Sequence, residues 1–285
     1  MILLAHESVT FEAMKTFLFI FLLTTSHNLG AQILDIGVKA GYVMSWTRHD
    51  DRFTDYDDLY RVTPVSGFNV GATGIFKLKK HFFLQTEILF TTKGRRLAGR
   101  VDKVLTDKVI YHHLDIPLLY NIHFNGKLKL KRIKYFKWYA GVGPNLSYWL
   151  GGRGRIINTE FIENGFPEMK YKIRFGERKE DGAQKNIYMK DVNRFQIGVQ
   201  IGGGVLLEPM NGQKIMIDAR FELGHTWLGK DNSADYIIPL DYQSARNMKD
   251  RNNNLRFSIL YLWEKDLDKR SRKKGKSTLK KQRSG

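Results

Sequence analysis

The chain has no cysteine among its 285 residues and only six prolines. It can therefore form no disulfide, offer no thiolate to a metal and carry no lipidated N-terminal cysteine. It also lacks any apolar run of the 20 or so residues that a membrane-spanning helix needs, and charged residues make up 27% of it. Catalytic signatures are equally scarce. There is no G-x-S-x-G and no H-E-x-x-H, and Gly202-Gly203-Gly204 lacks the Lys-Ser/Thr of a phosphate loop. The eight histidines form no metal-ligand spacing, so neither a metal nor another cofactor is expected.

The continuous apolar segment at 17–23 is too short to cross a bilayer. It follows Met14 and Lys15 and is followed by small and polar residues up to Gly30-Ala31-Gln32. That order of charge, apolar core and small residues predicts a secretory signal peptide cleaved near Ala31, with Met14 as a candidate start of translation. The expected organisation is an upstream extension plus signal over 1–31, one domain over 32–264 and a basic tail over 265–285.

Beyond residue 32 the helical period is hard to find, and alternation with period two replaces it. Eight runs are predicted as strands, over 36–46, 68–78, 82–93, 113–124, 136–148, 194–207, 215–223 and 255–263. In the first, Ile36, Val38, Ala40, Tyr42, Met44 and Trp46 alternate with Gly37, Lys39, Gly41 and Ser45. The runs reach or exceed the roughly 9–11 residues of a membrane-spanning strand, rather than the five or six common in soluble domains. Aromatic residues gather near strand ends, as in the interfacial girdles of membrane barrels. The connections alternate long and short, at 47–65, 79–80, 95–107, 125–133, 151–191, 209–213 and 229–251. Short inner turns and long outer loops are the habit of outer-membrane barrels. The predicted fold is all-β, an eight-stranded antiparallel up-and-down transmembrane β-barrel, apolar outside and polar inside.

An eight-stranded barrel has an interior that side chains roughly fill, which argues against a diffusion pore. The expected lumen residues are Lys39, Glu87, His113, Asp115, Arg194, Asp218, Arg220 and Glu222. Isolated charges there are costly, so a mutual ion-pair network is the first expectation. The hydrolytic alternative would draw on His112, His113 and Asp115, or on Glu222 and His225. However, His112 and His113 point to opposite faces of one strand. The last run ends in Tyr261-Leu262-Trp263, two aromatics spaced by one. It resembles the terminal-strand signal read by the barrel-assembly machinery, although a tail follows it.

The formal charge of +18 is uneven, with +8 in the tail and +6 over residues 125–137, both on the expected periplasmic side. The loop at 47–65 is acidic instead. Like charges in a tail repel and extend it; the sharper alternative is contact with an anionic partner such as lipid head groups or an acidic protein face. Nucleic acid is not an expected partner of an exported chain.

The strand texts Ile36-Gly37-Val38-Lys39-Ala40-Gly41-Tyr42, Gln85-Thr86-Glu87-Ile88-Leu89-Phe90, Leu114-Asp115-Ile116-Pro117-Leu118-Leu119 and Tyr139-Ala140-Gly141-Val142-Gly143-Pro144 resemble the PorT-like outer-membrane β-barrel family of Bacteroidetes. The resemblance covers about residues 33–265. It implies an outer-membrane location and, through a namesake member in type IX secretion, a structural or accessory part in an envelope assembly. The competing expectations are a surface ligand-binding or adhesion barrel using its long outer loops, and an envelope lipid or protein hydrolase. The expected partners are outer-membrane lipid, the barrel-assembly machinery and an envelope protein complex.

Overall fold

The computed structural model describes residues 33–49, 60–101, 103–126, 133–165, 167–176, 186–189, 192–209, 213–230 and 250–266. The expected signal peptide, the acidic stretch at 50–58, the basic turn at 127–132 and nearly all of the tail lie outside the described residues.

Among the described residues eleven strands form one sheet, with a single helical turn: β1 (Ile33–His49), β2 (Tyr60–Thr63), β3 (Val65–Lys79), β4 (Phe82–Gly99), β5 (Thr106–Gly126), β6 (Ile133–Ile157), α1 (Thr159–Glu163), β7 (Met169–Phe175), β8 (Asn186–Met189), β9 (Phe195–Pro209), β10 (Gln213–Gly224) and β11 (Asp250–Asp266). Eight of them, β1, β3, β4, β5, β6, β9, β10 and β11, pair antiparallel in chain order. The ring closes where β1 meets β11 along its whole length, from Ile33 opposite Asp266 to His49 opposite Asp250. Closure leaves the ring of eight without an unpaired edge, the condition for a sheet to cross hydrocarbon.

The alternation of each strand fixes which face is which. Val38, Val70, Ile88, Val142, Ile201, Ile217 and Ile259 are each 45% to 60% exposed. Lys39, Asn69, Glu87, Asp115, Gln200, Asp218 and Ser258, on the opposite faces, are buried. A continuous apolar ring of this kind exceeds what a water-soluble surface carries; here it faces lipid. Aromatic residues bound it. At one rim Phe136 and Tyr261 pack edge-on against Trp138 and Trp263, with ring centroids 5.0 and 4.9 Å apart. At the other, Phe68 meets Phe90 and Trp46 meets Phe221, both at 6.0 Å.

The strands outrun their sequence-predicted ends. β4 continues to Gly99, β5 begins at Thr106 and β6 reaches Ile157. Above the lipid band the sense of the alternation reverses: Leu97, Val109 and Ile156 turn inward and are buried, whereas Arg96 and Arg153 are exposed. Water now bathes the outer face, so apolar residues move to the inner one. The segment expected as a long loop over 151–191 is in part folded. Beyond Tyr148, which pairs with Phe195, β6 exchanges its partner β9 for β7, so that Gly152 lies opposite Ile173. β8 adds to β7 in parallel. Asn158 caps α1, its side-chain oxygen accepting from the Phe161 amide at 2.8 Å.

Two backbone details follow from close packing. The bulge in β5–β6 pairing falls between His112 and His113, opposite Gly151 at φ 147°. Pro117 lies within β5 at neither an edge nor a bulge: the register of β5 with β4 is the same on both sides of it. The barrel accommodates the missing donor as a local gap in the ladder.

Gly202 faces the lumen beside Arg220, and a Cβ there would stand 2.8 Å from the Arg220 Cγ. Gly202→Leu is expected to abolish the heat-modifiable folded band in gel electrophoresis, and Val199→Leu on the lipid face of β9 is expected to leave it. A folded band in Gly202→Leu contradicts this close approach.

Candidate functional site

The lumen is the obvious place to look for chemistry, because it collects charge from strands far apart in sequence. It is filled in successive layers. Nearest the β1 N-terminus, Lys214 Nζ donates to both oxygens of Asp35, at 2.9 and 3.0 Å, and to Glu264 at 2.5 Å. An apolar layer follows, made by Ile75, Phe83, Tyr139, Met216, Leu260 and Leu262.

Above that layer lies the first ion tetrad. Lys39 Nζ sits 3.1 Å from Glu87 Oε2 and 3.1 Å from Asp218 Oδ2. Arg220 reaches the same two carboxylates at 3.0 and 2.5 Å. Gln85 also donates to Glu87, at 2.7 Å. The second tetrad lies one layer further out. Lys93 meets Asp115 at 3.1 Å and Glu222 at 2.9 Å. Arg256 meets Asp115 at 2.7 Å and is also paired with Glu222. Ser147 donates to Asp115 and accepts from Lys93, while Gln200 donates to Glu222 at 3.0 Å. Each tetrad holds two cations and two anions, so each is neutral.

Toward the outer mouth the interior turns apolar. Val109, Tyr111, Trp149, Ile156, Tyr171, Ile173, Ile187, Met189 and Leu228 form one buried cluster drawn from β5, β6, β7, β8 and the segment after β10. Trp149 and Leu228 are fully buried.

The structure distributes the sequence-predicted lumen residues unevenly. Lys39, Glu87, Asp218 and Arg220 form one tetrad, and Asp115 and Glu222 belong to the other. Arg194 is not a lumen residue. It precedes β9, and its guanidinium stacks at 4.7 Å from the Tyr148 ring and 4.6 Å from the Phe175 ring, with Nε donating to the Trp149 carbonyl. The reason is the change of partner along β6, which opens the wall at that height. His113 lies inside but outside the ion network. It stacks on Trp149 at 6.2 Å, and neither ring nitrogen has a hydrogen-bond partner among the described residues. Lys93 and Arg256 complete the second tetrad and were missed as site residues, although both lie on the polar faces of their runs. Counting carboxylates would have found them: four acids call for four cations.

The hydrolytic constellations do not assemble. His112 faces outward and stacks on Phe90 at 5.7 Å, opposite in direction to His113. Asp115 and Glu222 are occupied by cations. His225 is exposed, and its backbone amide donates to the Ile197 carbonyl at 2.9 Å. No cluster of histidine and carboxylate able to hold a metal occurs among the described residues. Tyr261 and Trp263, the expected assembly signal, lie on the lipid face of β11 at the rim near the chain's N-terminal strand end.

A closed eight-stranded sheet with an apolar belt outside and ion pairs within defines a transmembrane β-barrel of the outer-membrane class. The chain belongs to the family described as outer membrane protein beta-barrel domain, which matches residues 30–226, and its location is the outer membrane. Solved structures similar to it include Ail, the attachment invasion locus protein of Yersinia pestis, at 10% identity and TM-score 0.33, covering 80% of this chain and 98% of that one. OprG from Pseudomonas aeruginosa is similar at 12% identity and TM-score 0.37, covering 82% and 94%. The outer membrane protease OmpT from Escherichia coli is similar at 7% and 0.31, covering 82% and 97%. No curated protein matches the sequence significantly.

Removing one member of a buried ion pair leaves a charge uncompensated, at a cost of about 3–5 kcal/mol. Glu87→Gln and Lys39→Met are each expected to lower the urea midpoint of the refolded barrel, and the double variant to recover a large part of the loss. Additive losses in this double-mutant cycle would show that the tetrad is not a coupled unit.

Proposed function

We propose that this chain is a non-enzymatic structural or accessory component of an envelope assembly, of the PorT-like kind, exported by a signal peptide cleaved near Ala31 and assembled through Tyr261 and Trp263 of its last strand. The observation that carries this reading is how the polar groups of the interior are used. Its carboxylates and cations are bound to one another, and Ser147, the hydroxyl nearest to them, is bonded to Asp115 and Lys93 and is buried. Function is then left to the outer surfaces.

The lipid face offers one such surface. A groove of about 570 Å³ runs over Ala40, Gly203 and Ala219, with Tyr42, Phe257 and Ile259 as its walls. Small residues permit close backbone approach between membrane-embedded elements. The groove therefore suits the flank of another membrane component. A second reading, ligand binding by the outer loops, draws support from the folded β7–β8 segment, which holds its outward side chains on strands rather than on loose chain.

Tagged mature protein extracted in mild detergent from its native envelope is expected to retain a stoichiometric set of envelope proteins by mass spectrometry. Ala219→Trp, which fills the groove, is expected to release them while the barrel stays heat-modifiable. A heat-modifiable monomer with nothing attached contradicts the assembly reading and favours the loops.

A further inference from the structure

The outward face of the outer extension carries an ordered array of cations. Arg96 lies opposite Lys108, Lys108 opposite Arg155, and Arg155 opposite Lys170, making one row across four strands. Below it, nearer the lipid band, Arg153 lies opposite Lys172. Residues opposite each other in a sheet share a face, and like charges in that position repel. Local acid relieves this only in part. Glu168, just before β7, bonds Lys170 at 2.6 Å and Arg155 at 3.2 Å, which holds its carboxyl below the ordinary range. Asp107 turns inward, where the Tyr171 hydroxyl donates to it at 3.0 Å. Among the described residues, Arg96, Lys108, Arg153, Lys172 and Arg174 have no carboxylate partner. An array of paired like charges is stable where external anions neutralise it.

Height and shape identify the anion. Leu150, 46% exposed, belongs to the lipid-facing set, and Arg153 is three residues further along β6. At about 3.3 Å per residue the cations begin within roughly 10 Å of the apolar band, the depth of the headgroup region. At that height β6 changes partner, and the change leaves a notch of about 440 Å³. It is lined by Leu150 and Phe175 on its apolar side and by Arg174, Arg194, Asn186 and Tyr188 on its polar side. Arg194 is held there by the rings of Tyr148 and Phe175. A wall with acyl-compatible and guanidinium-bearing sides suits a lipid headgroup carrying phosphate, which arginine recognises through its planar fork.

We propose that this face, with the Arg174–Arg194 notch at its base, binds the phosphate groups of an acylated, phosphorylated glycolipid of the outer leaflet. The full mature barrel, folded in mild detergent, is to be titrated with a bisphosphorylated acylated diglucosamine and with its dephosphorylated form, and bound lipid counted by native mass spectrometry. The phosphorylated lipid is expected to bind at least about tenfold more tightly. The triple variant Arg153→Gln, Lys172→Gln, Arg174→Gln is expected to lose that preference, since each surface cation is worth about fivefold. These side chains are exposed, so the variant keeps its heat-modifiable fold; Lys80→Gln, exposed at the opposite end, leaves binding unchanged. Equal binding of the two lipids, or undiminished preference in the triple variant, overturns the proposal. Full displacement by an equimolar amount of inorganic phosphate also overturns it, by assigning the site to a free anion.

Discussion

The pairing of β1 with β11 is the interaction on which everything else rests. Hydrocarbon offers no partner to a backbone amide, so a sheet crossing it must close on itself. Seventeen residues of β1 find partners on β11, and the ring of eight strands is left without an edge. Once the ring is closed with eight strands, its inner faces are brought within side-chain reach of one another. The residues that alternate away from lipid are then no longer independent. Each buried charge must find its counter-charge on another strand, and the two neutral tetrads are the solution this sequence adopts.

The sense of the alternation follows the solvent along each strand. In the lipid band, Lys93 faces in and Phe90 faces out; a few residues further along β4, Leu97 faces in and Arg96 faces out. Along β4 period two is kept and only the chemistry of the two faces is exchanged. The same chain thus builds a membrane barrel with a polar interior and, directly above it, a water-exposed extension with an apolar interior. Where the two meet, the Trp149, Tyr111 and Leu228 cluster lies over the ion layers.

This exchange decides which strands were legible in the sequence. The eight membrane strands could be read because long alternating runs with aromatic ends suit a lipid-facing sheet and little else. The extension could not, because polar outward residues such as Lys170, Lys172 and Arg174 look like loop composition to a reader expecting apolar-out strands. Buried charge was legible residue by residue, as for Lys39 and Glu87, but its pairing was not. Lys93 meets Glu222 across 129 positions of sequence, a contact set by the register of a closed ring rather than by any local pattern. Arg194 shows the converse. Its parity within the run suggested the lumen, but the chain enters β9 only at Phe195, and the preceding residue follows the notch instead.

The identity of the fold leaves the role of the protein to its surfaces, since one barrel serves many ends. The filled interior is what directs attention there, and it can be tested without knowing any partner. The most direct measurement is the conductance of the purified barrel inserted in a planar bilayer. With both tetrads intact and the outer cluster in place, no current above that of the bare bilayer is expected. Stable ohmic steps from single barrels would mean that the lumen is open, and would contradict a filled, ion-paired interior.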